Sequence, residues 1–342
     1  MSIYSFWNNK GGTGKTSLAF QTICSFAKKH PDKKILAVDL CPQANISELF
    51  LGGQENNGNN QLLVAHGNTP RKSIGGYFDN RLSFPYSPSN FGPDDYTLKP
   101  SSVNSNIPDN VDLICGDPLV ELQAIAMNTL ANAKLPGINS WLAVIDWLKD
   151  LLNKNNNYYD DVFIDTNPSF AMYTQIALAA SEYIIVPVMA DDSSRRALQN
   201  ALSLIYGISL PSPIYSEFTF SYLMNEAGRT LPKIHLVVRN RITQYMGDAS
   251  AYQAVLTGIN DDLNTAIQNH QRYFSFNKPN EGIISVRDFQ TTGVVAFARG
   301  CPFSEMKPGK LTVNGKSIQV NKEHLDKVRN SISELVEKIY TQ

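Results

Sequence analysis

The stretch Asn9-Lys10-Gly11-Gly12-Thr13-Gly14-Lys15-Thr16 decides the fold through what stands on either side of it. Ahead of it, Ile3 to Trp7 is a short apolar run with the character of a buried strand. Behind it, residues from about Thr16 to Lys29 repeat apolar side chains at helical spacing. A glycine-rich turn that leaves a strand and opens a helix is what a phosphate-binding loop needs. Glycines let the backbone turn tightly and aim several N–H groups at one anion, and the helix N-terminus adds its positive end. Gly11, Gly12, Thr13, Gly14 and Ser17 are then placed around the phosphates, Lys15 reaches the β- and γ-phosphates, and the Thr16 hydroxyl ligates Mg2+. Lys-Gly-Gly-x-Gly-Lys-Ser/Thr should arise by chance in a chain of this size about once in ten thousand, which sets aside a merely solvated glycine-rich turn.

Working outward, Lys33 to Asp39 is a second apolar strand, so strand, helix and strand form a βαβ unit with parallel pairing. Further strands are expected at Val111–Cys115, Val162–Asp165, Tyr183–Val188, Ile234–Arg239 and Ile283–Val286. Helices are expected at Leu119–Ala133, at Ser140–Leu152, from Ser193 or Ser194 onward, and at Lys322–Tyr340. The alternation gives an α/β fold with a mostly parallel twisted sheet flanked by helices, in one domain over residues 1–342. Residues 52–110 and 208–231 are rich in loop-forming residues or irregular in pattern and are read as surface insertions. Asn314-Gly315 between two alternating runs predicts a β-hairpin over about 311–320.

With 342 residues, 42% hydrophobic and 18% charged, a packed core is expected and global disorder is not. The net charge of −1 excludes a generally basic nucleic-acid binder, so any such face must be a local patch. Cys24, Cys41, Cys115 and Cys301 include no C-x-x-C pair and read as reduced thiols of a cytosolic protein. The first residues carry no basic n-region, and strand one starts at once, so neither a leader nor a preceding helix-turn-helix domain is expected. The longest apolar stretch, Ile176 to Ala190, is interrupted by Ser181, Glu182 and Pro187 and is too short to span a bilayer. A soluble, cytoplasmic protein is expected.

Lys10, placed before the glycine pair, makes the loop resemble the deviant Walker A motif of the ParA/MinD (Soj-like) family of P-loop ATPases. Other strings resemble that family in order. Val38 to Asn45 is similar to its switch I string, Asp160 to Ser169 to its Walker B and switch II string, and Val111 to Asp117, Ile184 to Val188 and Ala296 to Pro302 to later segments. The resemblance implies ATP and Mg2+ as cofactors and a homodimer that sandwiches two ATP molecules, with Lys10 of each subunit reaching the nucleotide held by the other. It also implies non-specific DNA as a partner of the dimer, and a ParB-like or cargo-adaptor protein that stimulates hydrolysis on the nucleoid.

Asp165 ends a buried strand beside the loop and is the expected Mg2+ carboxylate, acting through water. Asp39 also ends a strand, and the resemblance places it near the metal's water shell. Lys10, Lys15, Asp39 and Asp165 thus form the expected catalytic set. Cys41 stands where the family usually carries an Asp that handles the attacking water, and a neutral thiol is a poor substitute, so slow hydrolysis is expected. Asn167 replaces a usual proline and is able to position water, though not as a base. Neither Cys41 nor Cys115 falls where a cluster ligand of the iron-protein relatives would stand. The resemblance gives Asn240, after the strand Ile234–Arg239, to the adenine. Candidate DNA-contacting cations are Arg195, Arg196, Arg229, Lys233, Arg239, Arg299, Lys307, Lys310 and Lys316. The last helix mixes both charge signs on its polar face, so packing rather than membrane anchoring is expected of it. Two rival readings remain: a slowly hydrolysing nucleotide-gated switch that regulates a protein partner, and a MinD-like membrane-cycling regulator.

Overall fold

The computed structural model describes residues 1–87, 90–154, 158–189, 192–242 and 250–341, excepting the side chains of 192–195 and 250–256. The first half runs β1 (Ser2–Phe6), α1 (Lys15–Lys29), β2 (Ile35–Leu40), α2 (Asn45–Phe50), α3 (Gly58–His66), α4 (Ile74–Ser83), β3 (Val111–Ile114), α5 (Val120–Ala131), α6 (Ser140–Ile145), α7 (Trp147–Asn153) and β4 (Asp161–Thr166). The second half runs α8 (Met172–Ala180), β5 (Tyr183–Val188), α9 (Asp192–Tyr206), α10 (Phe220–Glu226), β6 (Lys233–Ile242), α11 (Ser250–His270), α12 (Pro279–Gly282), β7 (Ile283–Arg287), α13 (Gln290–Arg299), β8 (Gly309–Val313), β9 (Lys316–Val320) and α14 (Lys322–Thr341).

β1 to β7 form one parallel sheet in the order β3-β2-β4-β1-β5-β6-β7. The central strands are near-continuous apolar runs because helices cover both of their faces. On one face, Tyr77, Phe78, Trp147, Tyr173 and Phe220 pack among α4 to α11. On the other, α1, α2, α13 and α14 bury Phe20, Phe26, Phe50, Val295 and Leu335. The apolar stripe of α14, Leu325 to Ile339, lies in this second layer, as its periodicity led one to expect. No helix among the described residues is long and apolar enough to cross a membrane.

Segment 52–110 differs from the surface insertion expected. Its helix α4 places Ile74, Tyr77 and Phe78 at full burial, and Tyr96, beyond that helix, is fully buried as well. Arg71 donates to Asp117, and Arg81 donates to Asp150 while lying over the Trp147 ring. The segment's Asn- and Gly-rich wording hid a few large aromatics that do the anchoring. Segment 208–231 also carries a helix, α10, with Phe220 and Met224 buried. The single helix expected over 140–152 is two helices, divided at Asp146, which sits at φ −82°, ψ 0° and pairs with Arg229. The hairpin is present as β8–β9, an antiparallel pair outside the main sheet.

Candidate functional site

β1 lies between β4 and β5, so the chain leaving it emerges at the C-terminal edge of the sheet's centre, the usual ligand position in such folds. The turn from Trp7 to Gly14 is held against distant strands, by its own Asn8 side chain and by Asn240 from β6. Asn8 donates its amide to Pro187 O (2.7 Å) on β5 and accepts from Lys10 N (2.9 Å). Gly12 and Gly14 adopt φ of 74° and 77°, and a Cβ on Gly14 would lie 2.6 Å from the Asn240 amide nitrogen. Glycine is required there twice over, for backbone sign and for space.

Lys15 is buried, and its Nζ donates to the carbonyls of Asn8 (3.1 Å) and Lys10 (3.2 Å). Burial lowers the pKa of this ammonium, and Asp165 and Cys41 oppose the shift. The lysine therefore waits folded against its own loop, pre-placed for an anion that would compete for it. The Thr13 hydroxyl is buried without a partner, Thr16 and Ser17 are half-buried at the start of α1, and Gly11 and Gly12 are exposed.

Asp39 and Asp165 are register partners across β2 and β4 at the same edge of the sheet. Their surroundings differ. Asp39 accepts from Cys41 N (2.9 Å), Ser47 N (3.1 Å) and the Ser47 hydroxyl (2.6 Å), and that hydroxyl in turn accepts from Gly116 N (2.9 Å). Burial nevertheless pushes its carboxyl up to about 6, with those hydrogen bonds pulling the other way. Asp165 is 1% exposed, and among the described residues neither carboxylate oxygen meets a donor at hydrogen-bonding geometry, although the Thr16 hydroxyl and the Thr166 N–H lie near enough to favour its charge. Burial raises its pKa and the nearby Asp39 charge raises it further, while the Thr16 hydroxyl and Lys15 act in opposition. A buried, bare carboxylate costs free energy unless a cation or donor arrives. Its place beside Lys15 and Thr16 fits a hard divalent ion held through oxygen. Asp39, expected near the metal's water shell, lies at the same sheet edge and accepts from the 41–47 turn.

Cys41 is 9% exposed, and its thiol is pushed up to about 12 by burial and by the charges of Asp39 and Asp165. It stays protonated at neutral pH and is unable to act as a base. All four cysteines are free and buried. Asn240 donates its amide to Thr13 O (2.9 Å) and accepts from Arg241 N (3.0 Å), so it braces the loop, and one amide hydrogen remains for a ligand. Beside Gly14 and Ser17 a cavity of about 400 Å³ opens, walled by Asn240, Asp288, Phe289, Phe297 and Asn314.

Several contributors carried no signal in the sequence of a part in this site: Asn8, Ser47, Trp7 and the hairpin residue Asn314 at the cavity rim. Trp7 donates its indole N–H to Ser169 O (3.2 Å) and meets the Phe170 ring edge-on at 5.7 Å. Of the expected cations, Arg196, Lys233, Lys307, Lys310 and Lys316 are exposed. Arg229 pairs with Asp146, Arg239 donates to Asn260, and Arg299 donates to Thr312 O. The Arg195 side chain lies outside the described residues. Lys307, Lys310 and Lys316 gather on or beside the hairpin.

A protein-family model described as an AAA domain matches residues 1–210. A virulence plasmid ParA family protein of Chlamydia psittaci is 27% identical over 201 residues, 58% of this chain and 61% of that protein. The chain spans about three fifths of the length of the curated relatives it matches. A solved plasmid partition protein of Borrelia burgdorferi, bound to AMPPNP, superposes with a TM-score of 0.53 at 16% identity, covering 98% of each chain. A structure of pNOB8 ParA bound to nonspecific DNA gives 0.55 at 16% identity, covering 99% of this chain and 97% of that one. At such identities the two solved structures speak for the fold alone.

Proposed function

The chain belongs to the AAA-domain family of P-loop ATPases, in its ParA/MinD-like branch, and on that premise we propose that it is a partition or positioning ATPase that dimerises on ATP and acts on DNA or nucleoid-bound cargo. The observation that carries the nucleotide reading is the bare Asp165 carboxylate beside Lys15 and Thr16. In this reading residues 10–17 hold the phosphates, and Thr16 and Asp165 hold Mg2+. The metal, when bound, neutralises charge on the β- and γ-phosphates. Asp39 keeps the 41–47 turn closed beside it. The base enters the 400 Å³ cavity, where Asn240 has one amide hydrogen to give.

Lys10 is assigned to the nucleotide of the second subunit. A cation that meets the phosphates only in a dimer makes ATP the bond between subunits. Dimerisation also doubles the lysines at the hairpin, and affinity for a phosphate backbone rises steeply with the number engaged. Cytoplasmic, nucleoid-associated action as one ParA-like domain, with a ParB-like or cargo-adaptor protein stimulating hydrolysis, completes the reading. Hydrolysis is slow, because the Cys41 thiol is neutral. That same thiol favours the second reading, a nucleotide-gated switch that regulates a protein partner.

The test is light scattering with ATP or ADP, followed by DNA binding at rising salt. ATP with Mg2+ should double the mass, ADP should not, and Lys10→Ala should stay monomeric while keeping nucleotide through Lys15. The ATP state should bind duplex DNA without sequence preference, less so as salt rises. A dimer that ignores nucleotide and Lys10→Ala overturns the sandwich. An ATP dimer that ignores DNA at low salt leaves the protein-binding switch.

A further inference from the structure

The chain from Thr166 to Phe170 is fastened to the root of the phosphate loop from both ends. The Thr166 hydroxyl donates to Phe6 O (2.7 Å), and Trp7 holds Ser169 and Phe170. Asn167 therefore lies on the phosphate side of the sheet, two residues beyond Asp165. Its amide nitrogen is 2.8 Å from the Tyr173 hydroxyl, which donates its one proton to a Glu121 carboxylate oxygen at 3.1 Å. The Ser169 hydroxyl lies 3.2 Å from the same phenol.

These contacts fix which way the Asn167 amide points. A phenol has a single proton, and the carboxylate at Glu121 takes it. Tyr173 is then an acceptor toward Asn167, so the NH2 end must face Tyr173 and the Oδ1 end must face away from it. Among the described residues nothing donates to that Oδ1. The residue that the resemblance gives to the water, at position 41, is a cysteine, which offers no carboxylate oxygen. Asn167 is thus an oriented acceptor whose Oδ1 is left open by the protein, in a site where position 41 carries no carboxylate.

We propose that Asn167 orients the water that attacks the γ-phosphate, with Tyr173 and Glu121 as positioning residues that hold its amide in the one productive orientation. This rests on the ATPase reading above. An amide side chain that orients water, without accepting its proton, is a known solution in other P-loop enzymes. The water oxygen forms the new bond to phosphorus as the bond to the β-phosphate oxygen breaks. Its proton passes to a γ-phosphate oxygen, and ADP and inorganic phosphate leave.

Three variants test this: Asn167→Ala, Asn167→Asp and Tyr173→Phe, the last keeping the buried ring. ATP affinity, the single-turnover hydrolysis rate and affinity for ADP with magnesium and aluminium fluoride are measured for each. An interaction made only in the transition state changes rate and not ground-state affinity, so ATP and ADP should bind within about twofold of the unaltered chain. Asn167→Ala should slow turnover by about 10- to 100-fold, the scale of a misplaced reactant. Tyr173→Phe should slow it less, and affinity for the fluoride complex should fall in step with rate. Asn167→Asp should recover turnover and make it rise with pH as the carboxyl ionises. Unchanged turnover in Asn167→Ala with nucleotide still bound overturns the inference alone, as does equal loss of ADP and fluoride-complex affinity. If the unaltered chain binds no ATP, the proposed function falls and takes this inference with it.

Discussion

Asp39 and Asp165 stand at the same height on neighbouring strands, and the turn after each one decides what it does. After β2, the 41–47 turn curls back so that two backbone N–H groups and the Ser47 hydroxyl close on Asp39. After β4, Trp7 and Tyr173 hold the 166–170 turn in another direction, and among the described residues Asp165 is left without a closed hydrogen bond on either oxygen. Two carboxylates with near-equal burial thus divide into one that builds the site and one that is left for a ligand. Strand position alone predicts neither role; the donors in the following turn do.

The comparison breaks most visibly at the saturated end. Asp39→Ala should strand two buried N–H donors and a buried hydroxyl, at a cost of roughly 3 kcal/mol. Urea denaturation of the nucleotide-free chain measures it, and a loss below about 0.5 kcal/mol would show that the 41–47 turn closes without its carboxylate.

The bare end makes the opposite prediction, and it depends on pH. The Asp165 pKa is raised by burial first and the Asp39 charge second. Between the unfolded value and that raised value, the native state keeps a proton that the unfolded chain has lost. Stability from this group is therefore full at low pH and is lost as pH rises through the folded pKa. Asp165→Asn removes the titration. Its stability relative to the unaltered chain should rise by roughly 2 kcal/mol between pH 5 and pH 8, the cost of a buried, unpartnered charge. A difference that is flat or falls with pH would mean that Asp165 is satisfied in the folded chain.

The sequence made the centre of this site legible and left its supports hidden, for a physical reason. A phosphate loop is a local object: its glycines, its lysine and its strand–helix context lie within about thirty residues. The seven sheet strands are likewise written as apolar runs. The braces are not local. Asn8 meets Pro187 across 179 positions, and Trp7 meets Ser169 across 162, with no periodicity to announce either. Helix α13 was missed because Thr291, Thr292 and Gly293 are weak helix formers, and burial of Thr292, Val295 and Ala296 against the second layer overrides them. The bond from the Asn240 amide to Thr13 O was likewise hidden, because only the fold brings the strand that carries Asn240 close against the loop.

The most direct test of the account is a calorimetric titration of ATP into the unaltered chain and into Asp165→Asn, each with and without Mg2+. The unaltered chain should bind ATP about tenfold more tightly with Mg2+, some 1.4 kcal/mol, and the variant should bind it equally in both conditions. Equal Mg2+ dependence in the two proteins would contradict the account, because the bare carboxylate would then not be the one that holds the metal.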